Sequence, residues 1–173
     1  EAPYVSVLGE YLYTHGYNVF RLNLRDHGET HHLNSGIFRS DQIDEVFSAT
    51  RQITRLAKDQ PFYVVGFSLG GNFALRLAWL HSQVPLVNLQ HTVAICPAVN
   101  PCHTTQSLDK QRLYLSYFRR RWRRVFKAKQ RLFPKLYDFS KELAAPTCMA
   151  MTEAFIRQYS PHETAQAYFD AYE

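Results

Sequence analysis

With 173 residues, 46% of them hydrophobic and 20% charged, the chain has the size and composition of a globular domain, which excludes a disordered or fibrous protein. No stretch approaches the roughly eighteen uninterrupted apolar residues of a membrane span, and three scattered cysteines suggest neither a disulfide framework nor a zinc site. The formal net charge of +5 is unevenly distributed, because residues 101–145 hold twelve Lys and Arg against three Asp and Glu.

A helix is the first element that the sequence predicts. The spacing of apolar residues from Pro3 to His15 is helical, and Gly16 is a good residue to end the helix. Residues 17–24 alternate and are rich in strand formers, so they predict a strand. A polar loop over residues 25–36 is expected to follow it.

A second helix and a second strand come next. Ser40 or Asp41 is expected to cap a helix that runs to about Lys58, with its apolar residues on one side. Residues 62–65, Phe-Tyr-Val-Val, form a short continuous apolar run. Such a run is typical of a strand that is buried on both faces.

The same alternation predicts a helix over residues 70–81 and another buried strand over residues 92–96, stopped by Pro97. Helices and strands that alternate at this spacing imply crossover connections, and therefore an α/β fold with a parallel sheet and flanking helices. After Pro97 the pattern becomes mostly helical. We therefore predict two regions: residues 1–100 form the α/β core, and residues 101–173 form a basic, helical cap or lid.

A G-x-S-x-G motif at Gly66, Ser68 and Gly70 directly follows the first apolar run and opens the next helix. A serine hydroxyl is a poor nucleophile unless its oxygen is accessible and a base takes its proton. A tight strand-to-helix turn makes the oxygen accessible and places the N–H of Leu69 at a helix N-terminus, where it can donate to an oxyanion. We predict Ser68 as the nucleophile and the Leu69 N–H as an oxyanion donor. The alternative is a phosphate-binding loop or a plain turn, although no Gly-Lys-Ser/Thr follows.

Two segments resemble a known family. Residues 23–30, Asn-Leu-Arg-Asp-His-Gly-Glu-Thr, resemble the loop after a core strand in the α/β-hydrolases. The longer stretch of residues 23–34, followed by Gly36-Ile37-Phe38, and residues 65–72, Val-Gly-Phe-Ser-Leu-Gly-Gly-Asn, are similar to the YheT-like, embryogenesis-associated subgroup of that family. The resemblance covers nearly the whole chain. It implies a partial α/β-hydrolase fold and the hydrolysis of small or lipid-like carboxylic esters by a Ser–Asp–His triad without a cofactor.

Part of the family's machinery has no counterpart in this sequence. The family's oxyanion loop would lie before Glu1, and no strand that carries the triad Asp or His is evident after Pro97. We therefore expect the chain to be a piece of a longer protein, with the triad acid and histidine outside it. A less favoured alternative takes His162 as the base and Glu153 as its acid.

The polar loop contains three histidines near the expected carboxyl edge of the sheet, where ligands bind in such folds. A role in turns and hydrogen bonds is favoured over ligand binding for all three: His27, His31 and His32. Arg25 and Asp26 are expected to brace this loop. Cys96 is expected to be a buried, unreactive residue.

Residues 112–133 predict a basic amphipathic helix. Six apolar residues recur at helical spacing and are expected to pack on the core: Tyr114, Tyr117, Phe118, Trp122, Val125 and Phe126. The arginines and lysines between them form either a solvated face or a surface for an anionic membrane; a nucleic acid is the least favoured partner. A cytoplasmic protein, in part membrane-associated, is the expectation. The alternative function is a non-catalytic module that binds an anionic lipid or nucleic acid.

Overall fold

The computed structural model describes residues 2–173. The first half of the chain contains α1 (Pro3–Thr14), α2 (Ile43–Leu56), β1 (Phe62–Phe67), α3 (Leu69–Gln83) and β2 (Leu89–Ile95). The second half contains α4 (Pro101–Lys110), α5 (Arg112–Leu132), α6 (Ser140–Ala144), α7 (Cys148–Tyr159) and α8 (Ala165–Asp170). None of these helices, all within residues 2–173, combines the length and the apolar character that a membrane crossing requires.

Two parallel strands form the sheet, and α3 connects them. Phe62 pairs with Leu89 at one end of the ladder, and Phe67 pairs with Ile95 at the other. Parallel strands need a crossover connection, which α3 supplies while it packs against both strands. The predicted α/β class, with a parallel sheet and flanking helices, is therefore confirmed.

The first helix ends as the sequence predicts. Gly16 has a φ of +89°, in the left-handed region that glycine adopts without a Cβ penalty. The N–H of Gly16 donates to the Tyr13 carbonyl, and the N–H of Tyr17 donates to the Leu12 carbonyl. This pair of bonds is a Schellman motif, which satisfies two carbonyls that the helix leaves without partners.

The prediction of a strand over residues 17–24 is wrong. These residues have no regular secondary structure, and no ladder joins them to β1 within the described chain. Contact is made through side chains instead: the rings of Tyr17 and Tyr63 meet edge to face with centroids 6.1 Å apart. Strand-forming residues form a strand only where a neighbouring backbone accepts their hydrogen bonds, and sequence alternation does not reveal that neighbour.

The burial predicted for the two strands is also wrong. Tyr63, Val65 and Val93 are 42%, 39% and 46% exposed, so one face of the sheet is open to solvent within the described chain. The opposite face is covered, because Val64 packs in a small cluster with Phe73 of α3. A continuous apolar run predicts burial on both faces only where a second layer is present, and α3 supplies one layer.

Neither residue that was predicted to cap α2 does so. The N-cap position is Gln42, and its side chain makes no capping bond. The N–H of Ser40 donates to the Tyr168 hydroxyl at 2.9 Å, and the Asp41 carboxylate lies 2.9 Å from Nε2 of His162. Both residues therefore connect the start of α2 to the C-terminal helices, a role that depends on contacts distant in sequence.

Residues 101–173 are helical, as predicted, and no strand occurs among them. Their main core lies among α5, α6, α7 and α8, around Phe139, Met151 and Phe169. Leu69, at the start of α3, packs both against this core and against the small cluster beneath the sheet. Because that contact joins the two regions, the division into residues 1–100 and 101–173 stays a prediction.

Candidate active site

Ser68 is the single residue between β1, which ends at Phe67, and α3, which begins at Leu69. Its backbone has φ of +51° and ψ of −116°, a conformation that residues with a Cβ rarely adopt. The N–H of Ser68 donates to the Ile95 carbonyl at 2.9 Å, which ties the turn to the end of β2. The predicted strand–serine–helix geometry is confirmed, and the Ser68 residue is exposed.

Gly66 permits the close approach of strand and helix. A Cβ on this residue would overlap the carbonyl oxygen of Gly70, so no larger residue fits unless the turn moves. A Cβ on Gly71 would lie 3.1 Å from the Cα of Pro97, which is tighter than ordinary contact. Gly70, which the motif also singles out, has open space around its missing Cβ. The close approach therefore depends on Gly66 and Gly71.

Gly66→Ala is expected to lower the free energy of unfolding by about 2–3 kcal/mol, near the upper end of the cost of overpacking, because backbone atoms must move. The matched control is Gly70→Ala, which meets no atom and lies inside a helix. Since alanine is about 1 kcal/mol better than glycine in a helix, Gly70→Ala is expected to be neutral or stabilising. Urea denaturation of both variants checks the prediction, and equal stability of the two would contradict it.

The first backbone N–H of α3 lies next to Ser68. Leu69 is the first residue of α3, so its N–H has no acceptor within the helix. The helix dipole adds partial positive charge at the same point. An oxygen that becomes negative beside the Ser68 hydroxyl therefore meets a free donor in a favourable field, although the role of Leu69 itself stays a prediction.

No hydrogen bond joins the Ser68 hydroxyl to a histidine anywhere in residues 2–173. His162, the alternative base, has its Nε2 2.9 Å from Asp41 Oδ2, and its ring contacts that of Tyr168. No ion pair joins it to Glu153, which is exposed on α7. The structure therefore gives His162 a different carboxylate partner from the one that the sequence suggested.

A buried ion pair joins the loop of residues 25–36 to α5. Nζ of Lys129 lies 2.8 Å from Oδ1 of Asp26, and the two side chains are 0% and 1% exposed. The same ammonium group donates to the carbonyl of Asn34 at 2.6 Å and to that of His31 at 3.3 Å. The second Asp26 oxygen accepts from the N–H of Phe38 at 2.8 Å. Sequence reasoning missed Lys129, because lysine on a basic helix predicts a solvated residue.

The predicted bracing of this loop is confirmed. Arg25 donates through Nε and a terminal nitrogen to the two carboxylate oxygens of Glu45, each at 3.1 Å. Since these two hydrogen bonds fix Arg25 on α2 and the buried pair fixes Asp26 on α5, the start of the loop is held to two helices.

The three loop histidines lie in different surroundings and share no hydrogen-bond partner in the described chain. Nδ1 of His27 lies 2.8 Å from the Arg25 carbonyl, and the His27 ring meets Phe38 edge to face. Burial, and to a lesser extent the nearby Lys129 charge, lowers the pKa of His31 against the opposing effect of Asp26. His32 is exposed. Residues 2–173 contain no cluster of three or more His, Cys, Asp or Glu that could hold a metal ion.

Cys96 is not buried, contrary to the prediction. It directly follows β2, is exposed and has φ of +46°. The strand ends one residue before it, so the sheet does not cover its thiol. The buried cysteine is Cys148, whose pKa is raised to about 12 by burial and by the adjacent Asp109 carboxylate.

Two side chains of α3, the helix that follows Ser68, bind it to neighbouring segments of the chain. Nδ2 of Asn72, a buried residue, donates to the Ala98 carbonyl at 3.0 Å and to the Tyr172 carbonyl at 2.7 Å. One turn later, Arg76 donates to the Ser40 carbonyl at 2.7 Å. These bonds hold the start of α3 against the chain after β2 and the C-terminal residues, and so limit movement of the turn.

Comparison with known proteins agrees with this geometry. The model of a family described as alpha/beta hydrolase fold matches residues 2–170, which include both the Ser68 turn and the helical region. No curated protein and no solved structure matches the chain.

Proposed function

Because the chain belongs to the α/β-hydrolase fold family, we propose that it is a serine hydrolase of carboxylic esters in which Ser68 is the nucleophile. The observation that carries the proposal is the backbone of Ser68, with φ of +51° and ψ of −116° between a parallel strand and a helix. A strained, exposed serine at this point presents its hydroxyl to a substrate from outside the sheet. Strain of this kind persists where the surrounding structure fixes it, and Gly66 and the Ile95 carbonyl do so here.

The reaction follows from the groups at this turn. Ser68 Oγ attacks the ester carbonyl carbon while a base takes the hydroxyl proton, and the carbonyl oxygen becomes negative. The Leu69 N–H donates to that oxygen. Collapse of the tetrahedral species releases the alcohol, which takes the proton, and leaves an acyl group on Ser68. Water then gives a proton to the base and attacks the acyl carbon. The bond to Ser68 Oγ breaks, the carboxylic acid leaves, and the base returns the proton to the serine oxygen.

The base and its acid are proposed to lie outside residues 1–173. Support comes from the geometry, since Ser68 has no histidine partner in the described chain and His162 is paired with Asp41. We propose that the second oxyanion donor lies outside these residues as well. Membership of the YheT-like subgroup is part of the same proposal and is supported by the sequences of residues 23–34, 36–38 and 65–72.

Residues 1–173 alone are expected to hydrolyse activated esters very poorly, although Ser68 is present. Without a base the hydroxyl stays protonated near neutral pH, and loss of one oxyanion donor alone costs on the order of 10²–10³ in rate. Losses of groups that act as a unit do not simply add. The measurement is turnover of p-nitrophenyl acetate and butyrate by residues 1–173 and by the full-length protein.

A Ser68→Ala variant of each protein is the control. Ser68-dependent turnover by residues 1–173 that equals the turnover of the full-length protein would contradict the placement of the base. It would instead assign that role to His162 or to a loop histidine.

One observation favours a second candidate, a non-catalytic binding module of the same fold: no histidine is hydrogen-bonded to the Ser68 hydroxyl within the described residues. The two functions differ in the full-length protein. Absence of Ser68-dependent turnover there, across short and long acyl esters, would favour the binding module.

A further inference from the structure

Helix α5 has two faces of different chemistry. Trp122 and Phe126 pack against the C-terminal core, and the buried Lys129 lies on the same side. Seven cationic residues share the other side, which we call the cationic face: Arg112, Arg119, Arg120, Arg123, Arg124, Lys127 and Arg131. Their spacing of three, four and seven residues places them along one side of a helix about 31 Å long, given a rise of about 1.5 Å per residue.

The cationic face has no counter-charge of its own. Helix α5 contains no Asp or Glu, and within residues 2–173 no ion pair joins the cationic face to a carboxylate. Arg119 donates to the Ala145 carbonyl, which is a neutral acceptor. Like charges one turn apart repel each other, so an anionic partner would relieve this repulsion along the whole helix.

Exposed apolar residues continue the same face toward the start of α5. Leu113 is 86% exposed and precedes Arg120 by seven residues, so the two lie on one line along the helix. Tyr114 and Tyr117 are 59% and 54% exposed, so the prediction that they pack on the core is wrong. Tyr117 precedes Arg124 by seven residues. Near the start of α5 the face therefore combines Arg112 with the apolar Leu113 and the aromatic Tyr117, and the longer part that follows is cationic.

We propose that the cationic face of α5 binds the anionic surface of a lipid bilayer, with Leu113 and Tyr117 entering the headgroup region. A planar anionic surface can contact the exposed cations Arg120, Arg124 and Lys127 of a straight helix at once. Tyrosine is favoured at the boundary between headgroups and acyl chains. A nucleic acid would use the arginines and could stack a base on Tyr117, but it offers no apolar environment to the exposed Leu113. The proposal does not depend on Ser68, because it concerns where the protein binds and not what it hydrolyses.

Sedimentation with vesicles tests the proposal on the whole chain. The probes are vesicles of phosphatidylcholine alone and vesicles with about one third phosphatidylserine. We expect binding to the anionic vesicles only, and loss of that binding at about 0.5 M salt, where screening shortens the range of surface charge. Binding to both vesicle types alike, or to neither, would overturn the proposal.

Neutralising part of the face gives the quantitative result. Each cation near an anionic membrane contributes about fivefold to partitioning, so Arg120→Gln, Arg124→Gln and Lys127→Gln together are expected to weaken binding on the order of 100-fold. All three side chains are exposed and none belongs to the Ser68 turn. Circular dichroism verifies that the variant is folded.

The matched control replaces three exposed cations, two in α2 and one just after it, with glutamine: Arg51, Arg55 and Lys58. It lowers the net charge by the same amount, so an effect of total charge would weaken binding equally. We expect the control to bind within about twofold of the unchanged protein, since these cations belong to α2 and the residues just after it and not to α5. Equal loss in both variants would overturn the assignment to α5.

A third variant separates a bilayer from a nucleic acid. Leu113→Ser with Tyr117→Ser keeps every cation and removes both the apolar and the aromatic side chain. We expect weaker binding to anionic vesicles, with binding to a single-stranded oligonucleotide weak in every protein tested. Oligonucleotide binding that is tighter than vesicle binding and depends on Arg120 and Arg124 would replace the bilayer with a nucleic acid as the partner.

Discussion

Lys129→Met is expected to lower the free energy of unfolding by about 3–5 kcal/mol, the usual cost of removing one partner of a buried ion pair. Methionine fills much the same volume but leaves the Asp26 carboxylate, which is 1% exposed, without its cation. Two carbonyls, of His31 and Asn34, lose a donor at the same time. Equilibrium denaturation in urea measures the change.

A double variant keeps this prediction specific to the pair. Asp26→Asn with Lys129→Met removes both charges, while the amide oxygen still accepts from the N–H of Phe38. Asparagine also tolerates the φ of +58° at residue 26. We expect the double variant to be more stable than Lys129→Met alone. If the single variant cost less than about 1 kcal/mol, the pair would not hold the loop as described.

Ser68→Ala in the full-length protein is expected to reduce kcat for ester hydrolysis on the order of 10⁶-fold, because no acyl intermediate forms without the nucleophile. Alanine keeps the Cβ, so the strain of the turn is unchanged and the fold is expected to persist. KM is expected to change little, since a hydroxyl contributes little to binding an ester in the ground state. Steady-state kinetics with p-nitrophenyl butyrate checks the result.

Ser82→Ala is the matched control for this variant. Ser82 is an exposed serine near the end of α3, the helix that Ser68 precedes, and its hydroxyl donates to the Trp79 carbonyl. We expect unchanged kinetics from it. Residual turnover by Ser68→Ala close to that of the Ser82→Ala protein would assign the chemistry to another residue.

The turn at Ser68 could be predicted because its causes are local. A short apolar run, the motif residues Gly66, Ser68 and Gly70, and a helix that follows directly occupy adjacent positions in the sequence. The geometry of such a turn depends on steric limits within about six residues, and those limits can be read from residue types.

Contacts between residues that are distant in sequence were harder to predict. Lys129 and Asp26 are 103 positions apart, and nothing in the basic helix distinguishes a buried lysine from an exposed one except its spacing with Trp122 and Phe126. That spacing, seven residues after Trp122 and three after Phe126, places Lys129 on the packed side of α5. It is the signal that could have identified the residue.

Exposure of the sheet was mispredicted for a related reason. Alternation in residues 17–24 and the apolar run of β1 describe side chains that suit a sheet, but not the layers beside it. Within the described residues, α3 covers one face, while Tyr63, Val65 and Val93 are exposed on the other. The sequence of a strand does not state which neighbours are present.

Reaction of the full-length protein with a fluorophosphonate probe tests the central claim, that Ser68 is an activated nucleophile, most directly. These probes phosphonylate a serine whose proton a base removes, and the modified peptide is identified by mass spectrometry. We predict one phosphonylated site, Ser68, and no labelling of the Ser68→Ala variant. The Ser82→Ala variant is expected to be labelled to the same extent as the unchanged protein. Labelling that persists in Ser68→Ala, or an unlabelled Ser68 in a folded full-length protein, would contradict it.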